Sequence, residues 1–174
     1  MGSRGAAAPA EVEFTEFVSV HYDRLLHIAD LIVGDRGRAE DLLQTVLVRT
    51  FLRWSAIDAA HRFGYVRAAL VRGRIDWWRR LSSRERPVPV AADVHAVPDH
   101  AGFVADRDMV QRALSRLTRR ERAVVVLRYY EDLSEAAIAR ELGLARGTVK
   151  SACARALGKL RVAPEFAFVG EERS

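Results

Sequence analysis

The sequence predicts an all-α protein: two small helical domains joined by a flexible linker, the C-terminal one containing a helix-turn-helix. Three observations predict it. Apolar residues recur at helical spacing along most of the 174 residues, and alternating β-branched runs are absent. Pro87 to Ala105 holds three prolines, no lysine or arginine and no stable period, which marks a linker. Between Leu133 and Arg161 two short amphipathic stretches meet at Gly143, the residue a tight helix-to-helix turn needs.

Each element has its own signature. Residues 1–11 lack an apolar signal segment and are expected to form a disordered N-terminus. The N-terminal domain then covers 12–86. From Glu13 to Val33, Phe14, Phe17, Val18, Tyr22, Leu25, Leu26, Ala29 and Ile32 follow a helical period. Gly34 to Gly37 is a turn. A second helix from about Arg38 to Trp54 carries the stripe Ala39, Leu42, Leu43, Val46, Leu47, Thr50, Phe51 and Trp54. Ser55 to Gly64 is expected to be a loop. A third helix, about Phe63 to Leu81, buries Val66, Ala69, Leu70, Gly73 and Trp77, and the three close a small bundle. After the linker, 87–105, a C-terminal domain spans 106–162 and a tail 163–174. Its first helix is marked by Val110, Ala113, Leu114 and Leu117. Thr118 and Glu121 have capping-box spacing for a helix running through Leu127 to Tyr130.

Charge narrows the function. The chain carries +5 with a sequence pI near 10.0, but unevenly. Residues 62–86 hold eight arginines against Asp76 and Glu85, a net +6, and residues 118–161 hold ten cations against five acids, a net +5. Two basic blocks in an otherwise acidic chain predict two separate contacts with a polyanion. Phosphate-loop glycines, a nucleophile elbow and a metal-ligand cluster are all missing, so neither catalysis nor a cofactor is expected. His95 and His100 in the linker lack paired ligands at metal spacing. No apolar run is long enough to span a bilayer, and the single Cys153 fits a reducing compartment. A cytoplasmic location is expected.

Within the second basic block, Ser134 caps a helix bearing Ala137, Ile138 and Leu142, and the helix after Gly143 buries Val149, Cys153, Ala156, Leu157 and Leu160. Its opposite face shows Gly147, Lys150, Ser151, Ala154, Arg155 and Gly158, cationic and free of bulky apolar groups. Such a face suits a major groove. In the first block, Phe63, Tyr65, Trp77 and Trp78 interleave with arginines. Trp77 belongs to the core stripe, whereas Trp78 turns about 100° away, beside Arg79 and Arg80. Exposed rings beside guanidinium groups suit single-stranded DNA.

Three segments, AEDLLQTVLVRTFLRW, YVRAALVRGRIDWWRR and the run from LTRRERAVVV to GTVKSACARALGKLR, resemble a bacterial RNA polymerase sigma factor of the extracytoplasmic-function (ECF) group over about residues 12–162. The resemblance implies a protein that binds core RNA polymerase, directs it to promoters and assists melting, with promoter DNA, duplex and single-stranded, as partner and an anti-sigma factor as regulator. It implies that Asp41, Leu42, Gln44 and Leu47 dock on the polymerase β′ clamp, the β subunit being a further contact. Arg62, Arg67, Arg74, Trp78, Arg79 and Arg80 would serve the minus-ten element, and Arg146, Thr148, Lys150, Ser151 and Arg155 the minus-thirty-five element. Three positions depart from the family pattern. Ala145 stands at a cap often held by Ser, Ala152 at a DNA-contact position common for Arg or Gln, and Arg72 at a frequent Asn. A helix-turn-helix regulator acting on duplex DNA without polymerase is the alternative from another class, and an interaction adaptor is a third. The regulator would leave the aromatic–arginine helix and the Asp41–Leu47 surface unexplained.

Overall fold

The computed structural model describes residues 7–82 and 101–164, with side chains described for 9–73 and 107–164. The described residues are helical with no strand, and the chain divides into two compact units, Met1–Arg79 and Arg80–Ser174.

In the first unit, α1 (Ala7–Val33) packs on α2 (Arg36–Phe51), and α3 is Arg62–Ser82. Helix α1 begins six residues before the expected Glu13, inside the segment expected to be disordered. Ala7, Ala8 and Ala10 are strong helix formers, and Pro9 falls in the first turn, where its missing N–H has no helical partner to lose. Gly34, at φ 83°, turns the chain, and Asp35 Oδ1 accepts the Arg38 N–H at 2.8 Å to start α2. Leu25, Ile28, Ile32, Leu43, Val66, Leu70 and Val71 are fully buried, each contributing about 1.5–3 kcal/mol of burial. Gly73 admits a close approach of α3 to α2: a Cβ there would meet Leu42 Cδ1 at 3.1 Å. The stretch expected as a loop contains two short 3₁₀ turns, Trp54–Ala56 and Ala59–His61, the second capped by Asp58.

In the second unit, α4 (Ala101–Ser115) starts inside the segment expected to be linker, whose remaining residues up to 100 lie outside the described ones along with His95 and His100. The capping box before α5 (Arg119–Val125) forms as the sequence implies: Thr118 Oγ1 accepts the Glu121 N–H at 3.3 Å and Glu121 Oε2 accepts the Thr118 N–H at 2.9 Å. The α-helix does not run on to Tyr130. Val126–Tyr130 widens into a π turn closed by Glu131 N–H to Val126 O at 3.2 Å. The turn ends at Asp132, at φ 49°. Helices α6 (Glu135–Leu142) and α7 (Arg146–Arg161) pack on each other, and α5 packs on α7. Val124, Leu127, Ile138 and Val149 are the fully buried centre.

Candidate nucleic-acid interface

The helix-turn-helix is assembled from local chemistry. Ser134 Oγ accepts the Ala137 N–H at 3.2 Å and fixes the start of α6. Gly143 closes it in the left-handed region at φ 64°, and the Leu144 N–H reaches back to Ala139 O at 2.9 Å. Two residues later α7 begins at Ala145, which occupies the cap position and makes no side-chain cap bond. The Thr148 N–H turns back to Ala145 O at 2.9 Å, and Arg146 and Gly147 in this first turn are exposed.

Helix α7 buries Val149, Ala152 and Ala156, while Cys153, Leu157 and Leu160 are half-buried. Ala152, expected at a DNA-contact position, is fully buried. Its place at i+3 from Val149 and i+4 before Ala156 sets it on the core stripe, so its small side chain serves packing rather than DNA. The opposite face is as the periodicity implies: Gly147, Lys150, Ser151, Ala154, Arg155 and Gly158 are all exposed. Thr148 is half-buried, and Ser151 Oγ donates to Thr148 O at 3.1 Å, keeping its lone pairs free. The cations on this face differ. Among the described residues Lys150 has no ion-pair partner, whereas Arg155 Nε lies 3.6 Å from Glu121 Oε1. Lys159, one turn further, donates to Glu121 Oε2 at 2.7 Å. Burial pushes the Glu121 carboxyl up, but the bonds from Lys159 and Thr118 outweigh it and hold its pKa below the ordinary value.

The first basic block is built differently. Arg62 and Arg67, both expected to reach DNA, are turned onto aromatic rings. The Arg62 guanidinium lies 4.0 Å from the Trp54 ring centroid, and Nη2 pairs with Glu13 Oε2 at 2.9 Å. Arg67 is 8% exposed and sits 5.5 Å from the centroid of Phe63, whose ring also lies 4.7 Å from the Arg24 guanidinium. Phe14 and Phe17 complete the cluster, 5.0 and 5.1 Å from Trp54. Trp54 Nε1 and Arg62 Nε are buried without a hydrogen-bond partner, so guanidinium and indole face each other largely through the ring. Arg62 ties the start of α3 to α1 through Glu13, while Arg67 lies against Phe63 of its own helix. The backbone of Arg74, Trp78, Arg79 and Arg80 is helical, but their side chains lie outside the described ones.

On α2 the expected polymerase-facing set separates. Asp41 and Gln44 are exposed, Leu42 is half-buried against α3, and Leu47 is buried in the core, so its side chain cannot form an outer surface. The exposed stripe instead continues from Asp41 and Gln44 to Val48, 63% exposed, with Leu52 just beyond the helix at 78%. Sequence reasoning passed over Val48. Its signal is an apolar residue standing off the core stripe, seven and four positions after Asp41 and Gln44 on the same face.

Two helical units, one ending in a helix-turn-helix with a cationic outer face, define a class: the helix-turn-helix regulators of nucleic acid. The comparisons narrow it. The family profile described as sigma-70, region 4 matches residues 107–160. The chain is 40% identical over 151 residues to an RNA polymerase sigma-E factor of Streptomyces avermitilis, covering 86% of this chain and 84% of that protein. It is 31% identical over 163 residues to the ECF RNA polymerase sigma factor SigL of Mycobacterium tuberculosis, covering 91% and 92%. Among solved structures, CnrH in complex with the cytosolic domain of CnrY shares the fold at TM-score 0.61 and 23% identity, over 89% of this chain and 92% of that one. The sigma factor RpoE in complex with the anti-sigma factor NepR from Bartonella quintana does so at 0.59 and 20%, over 86% and 94%. The chain belongs to the RNA polymerase sigma factors, in their ECF group. No described helix is long and apolar enough to cross a membrane.

Proposed function

We propose that this sigma factor binds core RNA polymerase, directs it to specific promoters and assists promoter melting, without catalytic activity of its own. The observation that carries the reading is the outer face of α7: Arg146, Lys150, Ser151 and Arg155 exposed among glycines and alanine, so that a helix can lie close to a duplex. Those residues, with Thr148, take the minus-thirty-five element. The distal half of α3, with Arg74, Trp78, Arg79 and Arg80, captures unstacked bases of the minus-ten element by stacking and phosphate contact. Asp41 and Gln44, extended by Val48, supply the surface for the polymerase β′ clamp. Residues 12–86 and 106–162 act as the two promoter-binding domains on either side of the segment 87–105. The action takes place in the cell interior, where polymerase and promoters are. An anti-sigma factor is the proposed regulator, because the sigma factor RpoE, of like fold, is in complex with the anti-sigma factor NepR.

Capture of core polymerase by the tagged chain, followed by run-off transcription from fragmented genomic DNA of its source, tests the reading. Capture with promoter-specific run-off is expected. Duplex binding with no polymerase capture would instead establish the stand-alone regulator.

A further inference from the structure

Glu121 does more than its cap requires. A capping box uses one carboxylate oxygen, and here Oε2 accepts the Thr118 N–H at 2.9 Å. The same oxygen holds Lys159 Nζ at 2.7 Å, and Oε1 lies 3.6 Å from Arg155 Nε. The carboxylate side chain is 4% exposed, while those of Arg155 and Lys159 are 59% and 43% exposed. A buried anion thus faces two cations whose outer sides still reach solvent. Lys150, on the same helix, has no ion-pair partner among the described residues.

We infer that Glu121 is a positioning residue for DNA recognition: it competes with DNA phosphate for Arg155 and Lys159, so that α7 approaches a duplex with Lys150 displayed and these two tethered. This rests on the reading that the outer face of α7 meets duplex DNA. Phosphate contacts raise affinity for every sequence alike, whereas base-edge contacts discriminate. Tethering two phosphate-seeking cations therefore lowers binding to arbitrary DNA and leaves base contacts from the rest of the face in place. The ratio of specific to non-specific binding rises. The looser of the two, Arg155, is the one phosphate can draw away when the helix is correctly seated. Lys159, at hydrogen-bond distance, stays.

The test is fluorescence anisotropy of the full chain on a random-sequence duplex at a series of salt concentrations, starting low. Glu121→Gln keeps a carbonyl oxygen for the Thr118 amide and removes the charge. It is expected to steepen the salt dependence by about 0.9 for each cation released, and to tighten binding about three- to tenfold near 0.1 M salt. Adding Arg155→Ala to that variant returns the slope towards wild type. Thr118→Val breaks the hydroxyl half of the cap and leaves the Glu121 charge, so it lowers the melting temperature with the slope unchanged. Lys150→Ala makes the slope shallower by about 0.9. An unchanged slope in Lys150→Ala overturns the reading of the face, and this inference with it. A shallower slope in Lys150→Ala, beside an unchanged or shallower one in Glu121→Gln, overturns the role of Glu121 alone.

Discussion

The two basic blocks look alike by charge and differ in what they do with it. In the second unit, Lys150 stands out from α7 and Arg155 is only loosely drawn towards Glu121. In the first, the cations at the start of α3 are turned inward, Arg62 onto Trp54 and Glu13, Arg67 onto Phe63. One stripe of the first unit displays Asp41, Gln44 and Val48 on α2 and Leu52 just beyond it. Net charge counts cations, but a ligand meets only those the fold leaves outside. The polymerase contact proposed for α2 would rest on that stripe, and the DNA role proposed for α3 on its distal half.

The largest effect should come from reversing charge on the α2 surface. Asp41→Arg is expected to abolish capture of core polymerase while duplex binding through the second unit persists. Retained capture in a pull-down would remove α2 from the interface and with it the contrast between the units. Next is Trp78→Ala, which asks whether the distal half of α3 works on DNA. Loss of one base stack, about 1–3 kcal/mol, should reduce the open-complex fraction roughly 5- to 150-fold while closed-complex binding is kept. Permanganate footprinting beside a gel shift reads both steps, and equal melting by the variant would make α3 a purely structural helix.

Smaller effects test the fold itself. Ala145→Ser supplies the hydroxyl that the start of α7 lacks, and should raise stability by about 0.5–2 kcal/mol in denaturant unfolding. The Glu121 carboxyl gives a pH signature. Because its folded pKa is depressed, its contribution is present above the unfolded carboxylate pKa and is lost as pH falls through the folded one. Melting temperature should therefore drop more steeply with acid in wild type than in Glu121→Gln. Parallel curves would show that the carboxylate adds nothing by its charge.

The parts of the fold that sequence reveals are those written in neighbouring residues. Ser134, Gly143 and the Thr118–Glu121 pair declare helix ends because caps act over one turn. The recognition face follows from a 3.6-residue period. What escaped depends on residues distant in sequence. Arg62 meets Glu13 across 49 positions, and nothing local says that its guanidinium will lie on Trp54. Ala152 stands at a position the family resemblance gives to DNA, yet its spacing from Val149 and Ala156 puts it on the buried stripe, where α5 and α6 pack on α7. Leu47 sat in the apolar stripe from the start, and its burial follows from that stripe more directly than an outer role did. The π turn at Val126–Tyr130 has no local signature of its own; it sits where α5 gives way to the turn at Asp132 before α6.

Displayed cations should bind DNA while inward-turned ones hold the fold, and one paired measurement separates the two roles. The salt dependence of duplex binding and the thermal unfolding of the full chain are recorded for Lys150→Ala and Arg62→Ala together. Lys150→Ala should lose about 0.9 of salt slope with little change in unfolding. Arg62→Ala should keep the slope and lose about 1–3 kcal/mol of stability, from its ion pair and its stack on Trp54. A loss of salt slope in Arg62→Ala as large as that in Lys150→Ala would show that inward-turned cations bind DNA as displayed ones do.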